Sequence, residues 1–313
     1  MVSPWRPYLW QQARWPALSF DHQRVGPALV RARRLQGVVE AKALAIGIER
    51  DGQVACDLMA DEAISTAAIQ GERLDLAAVQ SAVMRQLGLD ASGPRDRRVD
   101  GLVEVLDDAM NGFAMPLDGE RLQRWQSALF AGGACGGHPV AVGRYRDHAG
   151  PMQIVTGLPG REVVSYDAPP SRRVAKEMDR FLAWFAKTTP VPGRLPPLDG
   201  LARAALAHLW FETIHPFEDG NGRVGRAIVD MAIAQDHRMP VRLYSLSRQL
   251  LESRKGYYDA LNAAQRGNGD ATDWVLWFAQ QFALACERSS DVIDRAIEKA
   301  RSWSQRFIAD TVV

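Results

Sequence analysis

A twelve-residue segment, HPFEDGNGRVGR at residues 215–226, concentrates residue types that bind phosphates and transfer protons. It holds one histidine, two acids, one asparagine, two arginines and three glycines between two apolar segments of helical character. Gly220 and Gly222 permit tight turns and let backbone N–H groups approach a ligand closely. Because a glycine-rich loop leading into a helix N-terminus readily binds anions, the segment predicts an anion site.

The charged side chains of this segment narrow the chemistry. Arg223 and Arg226 are three residues apart and share a face in the first turn of the next helix. Two cations there oppose the helix dipole unless an anion such as a di- or triphosphate lies between them. Asp219 would repel that anion unless Mg²⁺ bridged the two, as it commonly does with phosphates. Histidine exchanges protons near neutral pH, so His215 is suited to take the proton of an incoming hydroxyl.

The alternative is an ordinary solvated corner between two helices, with a capping asparagine and a histidine of no function. That interpretation requires nine selected residue types to coincide by chance in one short loop. We therefore favour a polyphosphate and Mg²⁺ site with a base at its rim.

The elements around the loop predict an all-α protein with one small β-hairpin. Apolar residues recur at helical spacing from about 22 to 130. They do so again at 171–187, 199–214, 223–236, 247–266 and 272–300. PMQIV at 151–155 and EVVSY at 162–166 predict two strands around a turn, and the glycine-rich segment before them is expected to be irregular. Pro216 predicts that the preceding helix ends at His215, and Phe217 is expected to enter the core.

Composition excludes several classes of protein. The net charge of +1 over 313 residues gives no global field for nucleic acid or an anionic membrane. Three cysteines without a C-x-x-C pair predict neither a zinc site nor a disulfide framework. No apolar run approaches the roughly 20 residues that span a bilayer, and residues 1–20 lack a signal-peptide pattern. These features favour a cytoplasmic protein, with its aromatic N-terminal arm packed on the body.

HPFEDGNGR followed by Arg226 resembles the complete signature of the Fic family. The hairpin, the GRYR segment at 143–146, a tyrosine pair and the N-terminal helices are similar to the Fic class that carries its own inhibitory helix. The resemblance implies a Fic-fold helical bundle whose hairpin is the flap. It implies a helical extension at 1–112, with the inhibitory helix at about 52–71, and a catalytic domain at 113–313.

Most such proteins transfer AMP from ATP to a Ser, Thr or Tyr hydroxyl of a protein, so the resemblance implies ATP as substrate and Mg²⁺ as cofactor. His215 would be the general base and Asp219 the Mg²⁺ ligand. Asn221 and the backbone at Gly220 and Gly222 would bind the α-phosphate, Arg223 the β-phosphate and Arg226 the γ-phosphate. The full set assigned to catalysis or nucleotide binding is His215, Phe217, Gly220, Asn221, Gly222, Arg223, Arg226, Tyr257, Tyr258 and Gln265.

The resemblance also implies a place for each partner. Tyr257 and Tyr258 would lie near the adenine, with Gln265 at the base; ordinary core packing of the two tyrosines is the alternative. The target protein would pair along the flap by adding a strand, and self-modification is expected. No membrane or nucleic-acid partner is expected, and a homodimer is left open.

The inhibitory motif departs from the family pattern. TAAIQGERL at 66–74 aligns Thr66 and Gly71 with the motif but places Gln70 where the family has the glutamate that holds the second arginine. An amide offers one neutral acceptor in place of a charged, often bidentate pair, so weakened inhibition and no AMP removal are expected. Two residues along a helix is about 200°, so Glu72 is expected to point away. The alternative is that Gln70 still blocks the site sterically.

Two other functions stay open from the sequence. The same fold could transfer another group: a different nucleotide, phosphocholine or phosphate. Gly222 favours the nucleotidyl version, since phosphorylating relatives diverge there. The chain could instead be a regulatory module that binds ATP as an effector.

Overall fold

The computed structural model describes residues 7–46, 52–131, 134–135, 138–156, 163–238 and 243–311. Within these ranges the protein is all-α with small antiparallel strand pairs, which confirms the predicted fold class. A short 3₁₀ helix, Leu9–Gln11, precedes the other elements. The helices and strands are α1 His22–Ile46, α2 Gly52–Ile69, α3 Leu76–Gln86, α4 Arg97–Asn111, α5 Gly119–Leu129, β1 Ala134–Cys135, β2 His138–Pro139, β3 Gln153–Thr156, β4 Val163–Asp167, α6 Ser171–Lys187, α7 Gly200–Ile214, α8 Asn221–His237, α9 Leu246–Glu252, α10 Arg254–Gln265 and α11 Thr272–Thr311.

Helices α7 and α8 pack on each other and form the buried centre of the molecule. Every residue of α7 is buried, because its Ala, Leu and aromatic side chains are distributed all around the helix. Asp199 caps the N-terminus by accepting hydrogen bonds from the backbone N–H groups of Leu201 and Ala202. The connection between α7 and α8 is therefore the segment 215–220, fixed at both ends by buried helices.

Several predicted elements differ from the structure. The helix predicted at 247–266 is two helices, α9 and α10, divided at Ser253, whose hydroxyl donates to Gln281 Oε1 on α11 at 2.9 Å. The glycine-rich segment predicted to be irregular contains the short pair β1–β2. Helix α11 extends to Thr311, beyond the predicted end at 300.

The hairpin prediction is confirmed by β3 and β4, which pair antiparallel with a register shift between Ile154 and Val155. The predicted turn at 157–162 lies outside the described residues. Tyr166 of β4 donates its hydroxyl to the carbonyl of Thr213 at 2.6 Å, and Trp10 of the N-terminal arm donates to the carbonyl of Asp167 at 2.8 Å. These bonds attach the hairpin to α7 and to the arm.

The N-terminal helices pack directly on the later helices of the chain. Helix α1 lies along α11, and α2 contacts α3, α8 and α9. The arm is buried at Tyr8, Leu9 and Trp15, as predicted, although Trp5 lies outside the described residues. Among the helices that the structure describes, none is both long and apolar enough to cross a membrane.

Candidate active site

The loop between α7 and α8 is shaped by two left-handed residues. His215 has φ 51° and ψ 63°, so α7 ends at the histidine, where Pro216 predicts the end. Gly220 has φ 86° and directly precedes α8, which begins at Asn221, two residues earlier than predicted. A Cβ at Gly220 would lie 2.9 Å from the Phe130 ring, so only glycine satisfies both the backbone angle and the space.

Phe217 and Asn221 close the loop on itself. Asn221 Oδ1 accepts from the backbone N–H of Phe217 at 2.9 Å, and Asn221 Nδ2 donates to the Phe217 carbonyl at 2.8 Å. The Phe217 ring is fully buried against Tyr145 and Phe211. The ring therefore anchors the loop, and the ligand contacts predicted for Phe217 and Asn221 stay predictions.

Arg146, from the GRYR segment, fastens the other side of the loop. Its buried guanidinium donates to the carbonyls of His215 at 2.7 Å, Ile214 at 3.1 Å and Pro169 at 2.6 Å. Burial lowers the pKa of Arg146 to about 10. A cation that satisfies the last carbonyls of α7 also complements the negative end of that helix. Arg146 thus positions His215 through its backbone.

Glu212 lies behind His215, one helical turn earlier. Its Oε2 is 3.5 Å from His215 Nδ1, and its Oε1 is buried without a hydrogen-bond partner. Burial alone raises the pKa of Glu212, but the hydrogen bond and charge of His215, with His208 and Arg226 nearby, outweigh it and leave the pKa below its ordinary value. A carboxylate here favours a proton on Nδ1, which leaves Nε2 of His215 free to act as a base.

A cavity of about 180 Å³ opens beside His215. Four structural units form its walls: the end of α2, the hairpin, the α7–α8 region and one face of α10. Its lining residues are Gln70, Ile154, Ser165, Tyr166, Glu212, His215, Gly222, Arg226, Tyr257, Tyr258, Leu261, Asn262 and Gln265. Most residues predicted for catalysis or nucleotide binding therefore border one space.

The two tyrosines of α10 have different environments. Tyr257 is buried, its hydroxyl lies 2.7 Å from His208 Nε2, and its ring stacks with Trp277. Most contacts of the Tyr257 side chain are therefore core packing, the alternative considered for this pair. Tyr258 is half-buried at the cavity and donates to the carbonyl of Ile69, the last residue of α2, at 3.4 Å.

Gln265 and Arg226 both line the cavity, and part of each side chain is already hydrogen-bonded within the protein. Gln265 Nε2 donates to the carbonyl of Glu212 at 3.1 Å, which leaves Oε1 for another partner. Arg226 is buried, and its Nε and Nη2 donate to Thr66 Oγ1 at 2.6 Å and to the Thr66 carbonyl at 2.8 Å. The structure thus brings Thr66 of α2 onto the second arginine of the loop.

Glu72 corrects one prediction. It was expected to point away from the site, but its Oε2 accepts a hydrogen bond from Arg223 Nη1 at 3.1 Å. The prediction placed the helix at about 52–71 and applied helical geometry to residue 72, whereas α2 ends at Ile69 and Gly71 turns the chain with φ 85°. The first arginine of the loop is therefore already paired with an acid.

Gln70 stands beside the second arginine without a described hydrogen bond to it. A Cβ at Gly222 would lie 2.8 Å from Gln70 Nε2 and 3.1 Å from Arg226 Nη1. Both side chains therefore approach the same point on the loop, and only glycine leaves room for them.

Asp219 offers one carboxylate at the loop. Its Oδ1 accepts from the N–H of Gly220 at 2.6 Å, and Oδ2 makes no hydrogen bond among the described contacts. The part of the chain that the structure describes holds no group of three or more His, Cys, Asp or Glu side chains placed for a metal. One carboxylate with phosphate oxygens and water fits Mg²⁺, which usually keeps several waters, but would not form a cage made of protein alone.

Several residues of the site were missed from the sequence. Leu261 and Asn262 follow Tyr257 and Tyr258 at a spacing of four, so helical periodicity could have found them. Glu212 precedes His215 by three and was available to the same argument. The roles of Arg146 and of the hairpin residues Ile154 and Ser165 had no local signal, because they depend on contacts between distant segments.

Acidification is expected to destabilise the fold through His208. Burial lowers the pKa of His208 below its ordinary value of about 6.5; Glu212 opposes this shift and Arg226 adds to it. Between the two pKa values the unfolded state binds the extra proton, so the free energy of unfolding rises with pH in that window. The free energy of unfolding should be constant above about pH 7 and decrease below about pH 6.5. The total decrease should be about 1.4 kcal/mol for each unit by which the pKa of His208 differs between the unfolded and folded states.

Urea denaturation from pH 7.5 to 5 measures this dependence. His208→Gln should reduce the slope below pH 6.5, whereas His148→Gln, at a half-exposed position, should leave it as in the parent. Equal slopes for the parent and His208→Gln would exclude His208 as the source.

Two family profiles match the chain. The profile described as the Fic/DOC family matches residues 116–233, which include the loop and the hairpin. The profile described as a domain of unknown function, DUF4172, matches residues 8–89, which include α1 and α2.

Curated relatives are similar over part of their length. "Protein adenylyltransferase Fic" of Nematostella vectensis is 30% identical over 155 residues, which cover 49% of this chain and 30% of that protein. "Protein adenylyltransferase fic-1" of Caenorhabditis elegans is 32% identical over 91 residues, which cover 29% of this chain and 16% of that protein. The chain therefore spans less than a third of the length of these relatives.

Solved structures share the fold. A Fic family protein from Desulfovibrio desulfuricans G20 superposes with a TM-score of 0.64 over 88% of this chain and 77% of the other, at 22% identity. A Fic domain-containing signaling protein from Bacteroides thetaiotaomicron gives 0.58 over 86% and 97%, at 16% identity. At these identities the likeness concerns the fold alone.

Proposed function

This chain carries a Fic/DOC-family domain, and on that premise we propose that it is a protein adenylyltransferase, which moves AMP from ATP to a Ser, Thr or Tyr hydroxyl of a protein. One observation carries the proposal. The loop 215–226 brings a histidine and two buried arginines to the N-terminus of α8, beside a cavity. That arrangement suits a polyphosphate whose transfer begins with removal of a hydroxyl proton.

In the proposed reaction, each of these loop residues has a separate role. The target hydroxyl oxygen bonds to the α-phosphorus while the bond from that phosphorus to the α–β bridging oxygen breaks, and pyrophosphate leaves. The hydroxyl proton passes to Nε2 of His215, whose Nδ1 side faces Glu212. Arg223 and Arg226 stabilise the charge on the leaving group. In-line positioning and electrostatic stabilisation would supply most of the rate.

The size of the cavity supports a divided nucleotide site. Its volume of about 180 Å³ is below the roughly 300–1,000 Å³ of pockets that enclose a drug-sized ligand. A nucleobase would lie in the part of this space beside Tyr258 and Gln265, with the phosphates toward Gly222 and Arg226 and out over the loop. The target segment would lie along the hairpin, which borders the same space at Ile154 and Ser165.

Asp219 would hold Mg²⁺ against the α- and β-phosphates, and when bound the ion would neutralise part of the charge on the leaving pyrophosphate. Asp219→Asn is therefore expected to raise the Mg²⁺ concentration needed for half-maximal transfer, by at least about tenfold, because even indirect ligands commonly matter that much. Titration of Mg²⁺ at saturating ATP measures the effect. Asp259→Asn, on an exposed face of α10, is the matched control. A parental Mg²⁺ requirement in Asp219→Asn would contradict the assignment.

Restraint by the N-terminal extension, residues 1–112, is the regulatory part of the proposal. Thr66 holds two nitrogens of Arg226, and Gly71 ends the helix that carries it. Both of those acceptors on Thr66 are neutral, and Gln70, in place of the family's glutamate, adds no charged partner for Arg226. We therefore expect restraint that is present but weaker than in relatives with the acid.

Mass spectrometry identifies the group that is transferred. The chain is incubated with Mg²⁺ and with ATP, other nucleoside triphosphates or CDP-choline in turn, and modified peptides of the chain and of added lysate are analysed. An AMP adduct on a hydroxyl residue, requiring ATP, is the expected result. An adduct of another nucleotide, of phosphocholine or of phosphate would show that the donor or the transferred group differs from the one proposed. ATP binding without any adduct would support the regulatory module instead.

A further inference from the structure

We propose that Glu72 guards Arg223, so that a nucleoside di- or triphosphate must displace this carboxylate before its β-phosphate can bind. The inference rests on the role proposed for Arg223 in phosphate binding. It adds a restraint on the first arginine of the loop that is separate from the contact between Thr66 and Arg226. The N-terminal extension would then hold both arginines, each through a different residue.

The ion pair is built into a partly enclosed position. Glu72 Oε2 and Arg223 Nη1 are 3.1 Å apart, and their side chains are 30% and 8% exposed. The guanidinium also lies over the Phe130 ring, 5.1 Å from its centre, and its Nε is buried without a hydrogen-bond partner. A cation near the N-terminus of α8 requires an anion beside it, and in the free protein that anion is Glu72.

The end of α2 directs Glu72 to this position. The N–H of Gly71 donates to the Ala68 carbonyl at 2.9 Å, and the N–H of Glu72 donates to the Ala67 carbonyl at 3.2 Å. Such bonds close a helix with a left-handed residue, here Gly71. The turn takes Glu72 off the helical path and places it toward α8. A side chain at residue 71 would strain this turn, so the glycine is needed for the pair.

Displacement leaves Glu72 with another partner. Its Oε1 is 4.0 Å from Arg98 Nη1 on α4, and that arginine is 59% exposed. A phosphate can therefore take Arg223 while the carboxylate remains near a cation in contact with water. The guard is thus a competitor that a ligand of sufficient charge removes, and AMP, which has no β-phosphate, does not compete with it.

Calorimetric titration of the full chain with ADP and with AMP tests the guard without catalysis. Glu72→Gln should tighten ADP binding by roughly three- to thirtyfold, the range for a charged hydrogen bond discounted for partial exposure, and leave AMP binding within about twofold. Glu72→Asp, one methylene shorter, should also tighten ADP selectively. Glu104→Gln, an exposed position on α4, makes the same charge change away from Arg223 and should alter neither ligand.

The outcomes separate this proposal from the proposed function. Unchanged ADP binding in both Glu72 variants, or equal tightening of AMP, overturns the guard. Arg223→Ala tests the premise: it should weaken ADP binding at least tenfold, since a charged hydrogen bond to the phosphate is lost. If ADP binds equally well to Arg223→Ala, the assignment of the β-phosphate to Arg223 fails, and the guard fails with it. If Arg223→Ala weakens ADP binding but neither Glu72 variant changes it, the guard is refuted and the assignment of the β-phosphate to Arg223 stands.

Discussion

Replacing His215 by alanine should reduce transfer of AMP by about 10²–10⁴-fold while leaving ATP binding nearly unchanged. The factor is that of general base catalysis, and no other described histidine lines the cavity. Binding should persist because, in the proposed function, Arg223, Arg226 and backbone N–H groups hold the phosphates. This result would separate an enzyme from a module that only binds ATP.

The backbone at residue 215 requires a second variant. His215 has a positive φ, which alanine adopts with strain and asparagine tolerates better. His215→Asn should therefore lose transfer to the same extent with the loop intact. Initial rates with α-labelled ATP and calorimetric titration of ATP measure both properties, and His148→Ala is the control. Transfer at the parental rate in His215→Asn would refute the base assignment.

Replacing Gln70 by glutamate should suppress transfer by roughly ten- to a hundredfold. The side chain of residue 70 and Arg226 Nη1 lie within about 3 Å of one point beside Gly222, so a carboxylate would reach that nitrogen. Thr66 already holds the other two nitrogens of Arg226. A charged pair in this partly buried place contributes about 1–3 kcal/mol more than an amide, which sets the expected factor.

Initial rates of self-modification and of target labelling measure this suppression. Gln23→Glu makes the same charge change at an exposed residue of α1 and should have no effect. The affinity for AMP should also stay the same, since the added acid acts on Arg226, which is proposed to bind the γ-phosphate that AMP lacks. A rate equal to that of the parent would mean that residue 70 acts by its bulk, which was the alternative considered for Gln70. Because residues 70 and 72 are neighbours, effects of Gln70→Glu and Glu72→Gln are not expected to add.

Local sequence patterns predicted the helices and strands well where residues close in the chain determine their ends. Helix α6 occupies 171–187 as predicted, since Pro169 and Pro170 stop the preceding strand and apolar residues then recur at helical spacing. The division between α9 and α10 was missed, because Ser253 carries no strong helix-breaking signal and its hydroxyl bonds to a distant helix. Glycine is a common helix terminator, so Gly71 could have predicted the end of α2. The contact of Glu72 with Arg223 that results from this end was missed.

By itself, the sequence determined the helical class, the hairpin and the loop at 215–226, because Pro216 and the glycines act through backbone angles within a few residues. Only the tertiary structure decided which side chains hold the two arginines. Thr66 and Arg226 are 160 residues apart in the chain, and Glu72 and Arg223 are 151 apart. Such pairs depend on where α2 ends, on the turn at Gly71 that follows it, and on how α2 packs on α8.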